Sequence, residues 1–414
     1  MRYFYLATAA CVGMLPILAS AQAPDVGARV EKVANGLIIT PSSSLAREGA
    51  HTNVKIFVPN GVHTDATTPS GKYETPASLA CLYGVTKKVK GCNPTSLKTV
   101  ATGGSKIVAI VDAYDDPNAT ADLTVFSKQF GLPAITSSNF AVVYGSGSKP
   151  AQDSSGGWEL EESLDVDMAH ALAPNAKVVL VEAASSSLKD LETAETAAIK
   201  LVEAAGGGEV TNSWAGGEYA GEAKLEKIFA GTNAVIFASA GDSPGVGIPS
   251  ALADVVSVGG TSVNRDSAGD FTSQTTWSST GGGLSAYLPI PSFQSGVAGV
   301  VGTARGTPDI SAVANPSTGV WVYDTVPYNG KVEDWLVLGG TSVSSPLTAA
   351  LVNNAASFNA SGTAELTEIY ANLGNKKAFT DVTKGACGNS KSGTASKGYD
   401  LCTGVGTPLG TTGK

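Results

Sequence analysis

Lys177-Val178-Val179-Leu180-Val181, a helix-like segment over 188–205, and Glu209-Val210-Thr211-Asn212-Ser213 follow one another in the chain. Two β-branched runs thus flank a segment of helical length. Continuous apolar runs suit strands buried on both faces, and parallel neighbours need a long crossover, usually a helix. The alternation continues in both directions. Upstream lie Ile107-Val108-Ala109-Ile110-Val111 and a helix-like segment over 121–130. Downstream lie a helix-like segment over 219–230, Ala234-Val235-Ile236-Phe237-Ala238, and Val255-Val256-Ser257-Val258. The pattern predicts an α/β fold with a doubly wound, mostly parallel sheet and helices on both faces. Reactive groups in such sheets lie beyond the carboxyl ends of the strands, so residues just after each apolar run matter most.

The chain has 414 residues, 43% hydrophobic and 15% charged, which excludes a disordered chain and supplies a sizeable core. A net charge of −9 argues against nucleic acid as a partner. Arg2, an apolar stretch over 3–18 and Ala19-Ser20-Ala21 read as a secretory signal cleaved after Ala21. No later stretch is long and apolar enough to cross a membrane, so a secreted protein, extracellular or periplasmic in transit, is expected. The organisation read from the sequence is a signal peptide (1–21), a short N-terminal extension (22–74) that could be a reduced prosegment, and one main domain (75–414). In the extension, 30–40 and 54–58 read as strands. The remainder reads as partly ordered at best, with His51 and His63 as surface histidines.

Cys11 leaves with the signal. Cys81 and Cys92 are near neighbours, as are Cys387 and Cys402, and two local disulfides are the economical reading in an oxidising compartment. A four-thiolate metal site, the alternative, lacks the usual close cysteine pairs. Thr75 to Gly84 reads as a helix started by Pro76 and ended by glycine.

Two segments bear on chemistry. Gly339-Gly340-Thr341-Ser342-Val343-Ser344-Ser345-Pro346 joins an apolar run, 335–338, to a helix-like segment, and so presents a serine at a helix N-terminus. The free N–H groups there favour negative charge, which suits either a nucleophile or a serine-rich cap. The second segment, 158–172, reads as a helix with Leu160, Leu164, Met168 and Leu172 as its buried stripe. Glu161 and Asp165, four apart beside that stripe, face the same way and are expected to share a proton. Glu159, Glu162 and Asp167 are expected on a solvated face. Asp242 follows the run 237–241, at the carboxyl edge of the sheet. His170 is the one histidine within the α/β region and reads as structural, with no Asp-Gly or His-Gly-Thr signature beside it.

Together these segments resemble the serine-carboxyl peptidases, the sedolisin or kumamolisin family. Gly340-Thr341-Ser342-Val343-Ser344-Ser345-Pro346 is similar to the family's nucleophile motif. Glu161-x-x-Leu164-Asp165-x-Asp167 is similar to its Glu/Asp helix, and Ser239-Ala240-Gly241-Asp242-Ser243 to its oxyanion-hole segment. The likeness runs from about residue 75 to the end, through Gly259-Gly260-Thr261-Ser262, Trp277-Ser278-Ser279 and Arg305-Gly306-x-Pro308-Asp309. It implies a subtilisin-like fold, Ser342 as nucleophile, Glu161 as general base, Asp165 orienting Glu161, and a neutral Asp242 donating to the oxyanion. Ser213, Trp214 and Ala215 are implied to pair with extended substrate, with Ala215 where the family has glycine. One Ca²⁺ is implied at Asp381, Val382, Ser396, Gly398 and Asp400, with Ser396 where glycine is usual. The implied activity is that of a secreted, acid-active endopeptidase, acting as a monomer on protein or peptide substrates. A tripeptidyl aminopeptidase of the same family and a non-catalytic binding protein on this fold are the alternatives. The family's long folded prosegment has only 22–74 as a counterpart here.

Overall fold

The computed structural model describes residues 27–60, 68–332, 334–388 and 393–414. The signal segment, Cys11 and His63 lie outside the described residues. The larger sheet has eight strands. In spatial order they are Phe271–Thr276, Val255–Arg265, Val235–Ser239, Gly208–Asn212, Ile107–Ala113, Lys177–Ala183 and Phe140–Tyr144, with Ile310–Val313 also pairing with Val255–Arg265. Every pairing is parallel except that of Phe271–Thr276. The chain winds from Ile107–Ala113 to one side and then returns to the other, so the winding direction switches beside that strand.

Alternation along Ile107–Ala113 divides the core in two. Val108 and Ile110 pack with Leu160, Leu164, Val343 and Leu347, from helices Gly157–Leu172 and Thr341–Asn353. Ile107, Ala109 and Val111 pack with Leu191, Ala194, Ala198 and Val202 of helix Leu188–Ala204 on the opposite face. The doubly wound, mostly parallel α/β arrangement expected from the alternating pattern is therefore present.

Several expectations need correction. The helix expected over 219–230 is only a turn, Glu222–Leu225, followed by Glu226–Phe229. Gly221 and Gly231 take positive φ at either end and leave too little chain between them for a longer helix. Phe140–Tyr144 is a strand that the apolar runs did not reveal. Glu159, Glu162 and Asp167 are not solvated but almost fully buried. Helix Gly157–Leu172 is enclosed by helices Thr341–Asn353 and Ala119–Phe130 and by strand Val320–Tyr323. Glu159 accepts from the Asp153 N–H at 2.7 Å and Asp167 from the Tyr323 N–H at 3.1 Å.

Residues 27–60 are also better ordered than expected. Arg29–Val33, Gly36–Thr40 and Lys55–Pro59 join Trp335–Gly339 and Val320–Tyr323 in a five-stranded antiparallel sheet. Ile56 and Phe57 are buried in the main core. The run leading to Ser342 thus belongs to this second sheet and not to the parallel one. His51 is half-buried rather than on the surface. Helix Pro76–Leu82 carries a reciprocal cap between Thr75 and Ser78. Cys81–Cys92 and Cys387–Cys402 are both disulfides, which removes the thiolate metal site. No described helix is long and apolar enough to cross a membrane.

Candidate active site

Helix Thr341–Asn353 starts after Gly340, whose φ of 107° favours glycine. A Cβ there would collide with the carbonyl oxygen of Asn53. Ser342 is the second residue of the helix and fully buried. Its Oγ donates to the Ser213 carbonyl at 3.2 Å, and its backbone N–H donates to the Asn53 carbonyl at 3.2 Å. Ser213 answers with its own hydroxyl, which donates to the Ser342 carbonyl at 3.3 Å.

Glu161 and Asp165 stand on the neighbouring helix, Gly157–Leu172, both fully buried. Burial pushes the Glu161 carboxyl well up, helped by the charge of Asp112, while the Ser342 hydroxyl and the Asn53 backbone pull it down. Neither Glu161 oxygen makes a well-formed hydrogen bond among the described residues. The Ser342 hydroxyl is therefore a neighbour outside hydrogen-bonding geometry. Burial likewise pushes Asp165 well up, followed by the charge of Glu161, with the Ser213 side chain pulling the other way. Two buried carboxyls in contact retain at least one proton between them in acid.

Asp242 lies just beyond strand Val235–Ser239. Its Oδ1 is held by Thr341, and its Oδ2 has no hydrogen bond among the described residues. Lys55 Nζ stands 3.9 Å from Oδ2. Burial nevertheless outweighs the lysine and leaves the Asp242 carboxyl above its ordinary range. Strand Trp214–Gly217 runs past Ser342 and pairs antiparallel with His51–Thr52, His51 opposite Ala215 and Thr52 opposite Trp214. Ser342, Glu161, Asp165, Asp242 and the 213–215 segment are thus brought together. They converge beyond the carboxyl ends of Gly208–Asn212 and Val235–Ser239, next to the winding switch.

His170 is not part of this group. It lies nine residues beyond Glu161 on the same helix, about 13 Å along the axis. Its Nε2 faces the Pro133 carbonyl at 3.4 Å, and burial pushes its pKa down to about 4.

No family model matches the chain. Over 345 residues, 74% of its length, it is 31% identical to kumamolisin of Bacillus sp. (strain MN-32). Over 299 residues it is 25% identical to sedolisin of Pseudomonas sp. (strain 101). The fold matches solved Pseudomonas sedolisin, a serine-carboxyl proteinase complexed with two molecules of pseudo-iodotyrostatin. That match has a TM-score of 0.64 and 22% identity, and covers 82% of this chain and 96% of that one. This chain belongs to the sedolisin family. It spans 59% and 50% of the lengths of the two curated relatives.

Two residues beside the family's motif positions were missed in the sequence. Asp112 lies at the carboxyl end of strand Ile107–Ala113, fully buried, with neither oxygen hydrogen-bonded among the described residues. Burial pushes it well up, helped by the charge of Asp165, so three carboxyls form one electrostatic group. Its place at a strand's carboxyl end was the available signal. Asn53, whose carbonyl faces Ser342, carries no local signal at all.

The two segments expected to hold calcium lie against each other. The Gly398 N–H donates to Asp381 Oδ2 at 3.0 Å and the Ser396 N–H to Asp400 Oδ2 at 2.9 Å. Thr403 Oγ reaches both the Val382 carbonyl and Asp400. Two carboxylates with the carbonyls of Val382, Ser396 and Gly398 would make an all-oxygen set, which would suit a hard cation such as Ca²⁺. No group of three or more His, Cys, Asp or Glu side chains able to hold a metal occurs among the described residues, so this set depends on backbone carbonyls.

Proposed function

We propose that this protein is a secreted, acid-active serine-carboxyl endopeptidase that hydrolyses peptide bonds of protein or peptide substrates. The observation that carries the proposal is the convergence of Ser342 at a helix start, the buried pair Glu161/Asp165, and the unbonded Oδ2 of Asp242. In this reading Ser342 Oγ attacks the scissile carbonyl and Glu161 takes its proton, later returning it to the leaving amine. Asp165 orients Glu161 and holds the proton they share. The Ser342 N–H and a neutral Asp242 donate to the oxyanion, which an ionised Asp242 would repel. Signal-like residues 1–21 and the two disulfides support secretion. The Asp381/Asp400 loop supports one bound Ca²⁺, which would brace the C-terminal segment and take no part in the chemistry.

Endopeptidase action is favoured over release of tripeptides by the path of residues 50–53. Two residues, His51 and Thr52, precede Asn53 along the 213–215 strand. The Ala50 N–H donates to Ser186 O at 2.8 Å, so the groove extends beyond a third residue.

The test is digestion of a denatured protein at acid pH, with Ser342→Ala beside the wild type. Internal fragments from the wild type alone are expected. Release of tripeptides only would favour the aminopeptidase, and equal inertness of both proteins would favour a binding role.

A further inference from the structure

A ring of hydrogen bonds joins the two walls that flank Ser342. The first wall is strand Trp214–Gly217, which follows Ser213. The second is segment 240–245, which carries Asp242. Gly247–Ile248 pairs antiparallel with Gly216 and Gly217 and joins the walls on one side. Gly245 exchanges backbone hydrogen bonds with Gly282, at 3.2 and 2.8 Å, and the Gly281 N–H donates to the Gly241 carbonyl at 2.7 Å. Strand Gly283–Pro289 starts there. Its Ser285 hydroxyl donates to Glu218 Oε1, and the Ala286 N–H donates to Glu218 Oε2 at 3.2 Å. Glu218 directly follows Gly217, so it closes the ring onto the first wall. Among these links, Glu218 alone reaches across through a side chain.

Resting on the peptidase reading above, we propose that Glu218 and Glu222 form a carboxyl–carboxyl lock that holds the substrate side-chain pocket beside Ser342 in its binding shape in acid and releases it near neutrality. Both are positioning residues, acting through the walls and not on the reacting atoms.

The hydrogen bonds locate the proton of the pair. The Ser285 oxygen accepts from the Tyr287 N–H at 3.2 Å and the Leu288 N–H at 2.9 Å, so its own proton goes to Glu218. Glu218 thus accepts on both oxygens. Glu222 is fully buried, and its Oε2 accepts from the Tyr219 N–H at 2.8 Å. Its Oε1 has no hydrogen bond among the described residues. The proton of the pair therefore belongs on Glu222 Oε1. Burial pushes Glu222 up to about 7, the Tyr219 N–H opposes this, and the charge and side-chain contact of Glu218 push further up. Below that pH the pair is one acid and one carboxylate, which attract. Above it two carboxylates repel. The lock is thus present in acid and lost as pH rises through about 7.

The groups around the pair leave it undisturbed. Burial raises Tyr219, followed by the charges of Glu192 on helix Leu188–Ala204 and of Glu222, so this phenol stays neutral. Lys224 and Lys227 are exposed, and Glu226 accepts from the Ala253 N–H. Trp214–Gly217 and Gly247–Ile248 hold no titratable side chain, and Gly283–Pro289 holds only the exposed Tyr287. Opening the lock frees Gly283–Pro289 from the first wall. The loss falls on substrate binding, because Ser342 is anchored separately, on the Ser213 carbonyl.

The experiment is steady-state hydrolysis of one peptide by the full chain between about pH 4 and 7. Wild type is compared with Glu222→Gln, Glu222→Ala and Ser285→Ala, each checked by melting. Wild-type KM should rise about tenfold across this range, the size of one lost charge-assisted hydrogen bond. Ionisation of Asp242 is read in kcat instead, since that residue meets charge formed only after attack. Glu222→Gln, whose amide donates at any pH, should match wild type at pH about 4 and keep its KM to about 7. Glu222→Ala and Ser285→Ala should show the raised KM already at pH about 4, with kcat within about twofold of wild type. A flat wild-type KM overturns the lock and leaves the peptidase reading standing. So does a Glu222→Gln KM that rises with the wild type, or an unchanged KM in Ser285→Ala. Should either truncation melt too low to assay, wild type against Glu222→Gln decides alone. A wild type that hydrolyses no peptide at any pH overturns both.

Discussion

Oδ1 of Asp242 accepts from both the backbone N–H of Thr341, at 2.7 Å, and its hydroxyl, at 3.0 Å. The carboxyl plane is thereby fixed, and Oδ2 is the oxygen left without a hydrogen bond among the described residues.

This arrangement fixes a pH dependence. Burial raises Asp242, so its proton persists above the ordinary carboxylate range, and activity is lost as pH rises through that elevated value. A kcat/KM profile between pH 2 and 9 should peak in acid and fall before neutrality. Asp242→Asn, an amide that donates at any pH, should be slower at the optimum and show a weaker decline above it. A peak near pH 8, with His170→Ala inactive, would refute the carboxyl mechanism.

Ser342→Ala should lower turnover by roughly 10³-fold or more. The hydroxyl makes one neutral hydrogen bond, to Ser213, so its removal should cost only about 1 kcal/mol of stability. Turnover and thermal melting measured on one preparation separate the two effects. A variant keeping a tenth of wild-type activity would exclude Ser342 as nucleophile.

Stability should also fall with rising pH. Burial pushes Asp116 and Glu365 up to about 7, and Glu159, Glu182 and Glu195 up to about 8. The folded state therefore holds more protons than the unfolded chain between about pH 4 and 8, so unfolding becomes easier across that window. His170, pushed down to about 4, acts in the opposite sense between about pH 4 and 6.5, but it is one group against five. Melting temperature recorded at intervals from pH 4 to 8 should decline. A rising or flat curve would contradict the burial of these carboxyls.

Calcium should raise the melting temperature by mass action, since only the folded loop gathers the five oxygens. Asp381→Asn is the cleaner probe, because Asp400 also fastens the Ser396, Cys402 and Thr403 N–H groups. The difference between calcium and chelator should be large in wild type and small in Asp381→Asn. Equal melting of the wild type in both conditions would remove the ion from the account.

The parallel sheet was legible because each strand is a compact apolar run with its own helix. Glu161 and Asp165 were legible as a pair because their spacing on a helix fixes their common direction. The burial of Glu162 and Asp167 was not, since the segments that enclose them, 119–130, 320–323 and 341–353, are remote in sequence. Asp112 stands directly after the apolar run 107–111, where a reactive group is to be sought, but no second local feature marks it. Asn53 reaches Ser342 only because 55–59 pairs with 335–339 across almost three hundred residues, a contact that no local pattern encodes.

That pairing has a practical corollary for shortened versions of the protein. A chain begun at residue 75 would look complete by its motifs, yet Trp335–Gly339 would lose Lys55–Pro59 and become the border of its sheet. Its unpaired N–H and C=O groups would be open to any extended strand, and the patch vacated by Ile56 and Phe57 would be bare. Such a protein would tend to precipitate or stack edge to edge, with Ser342 only a few residues from the exposed seam.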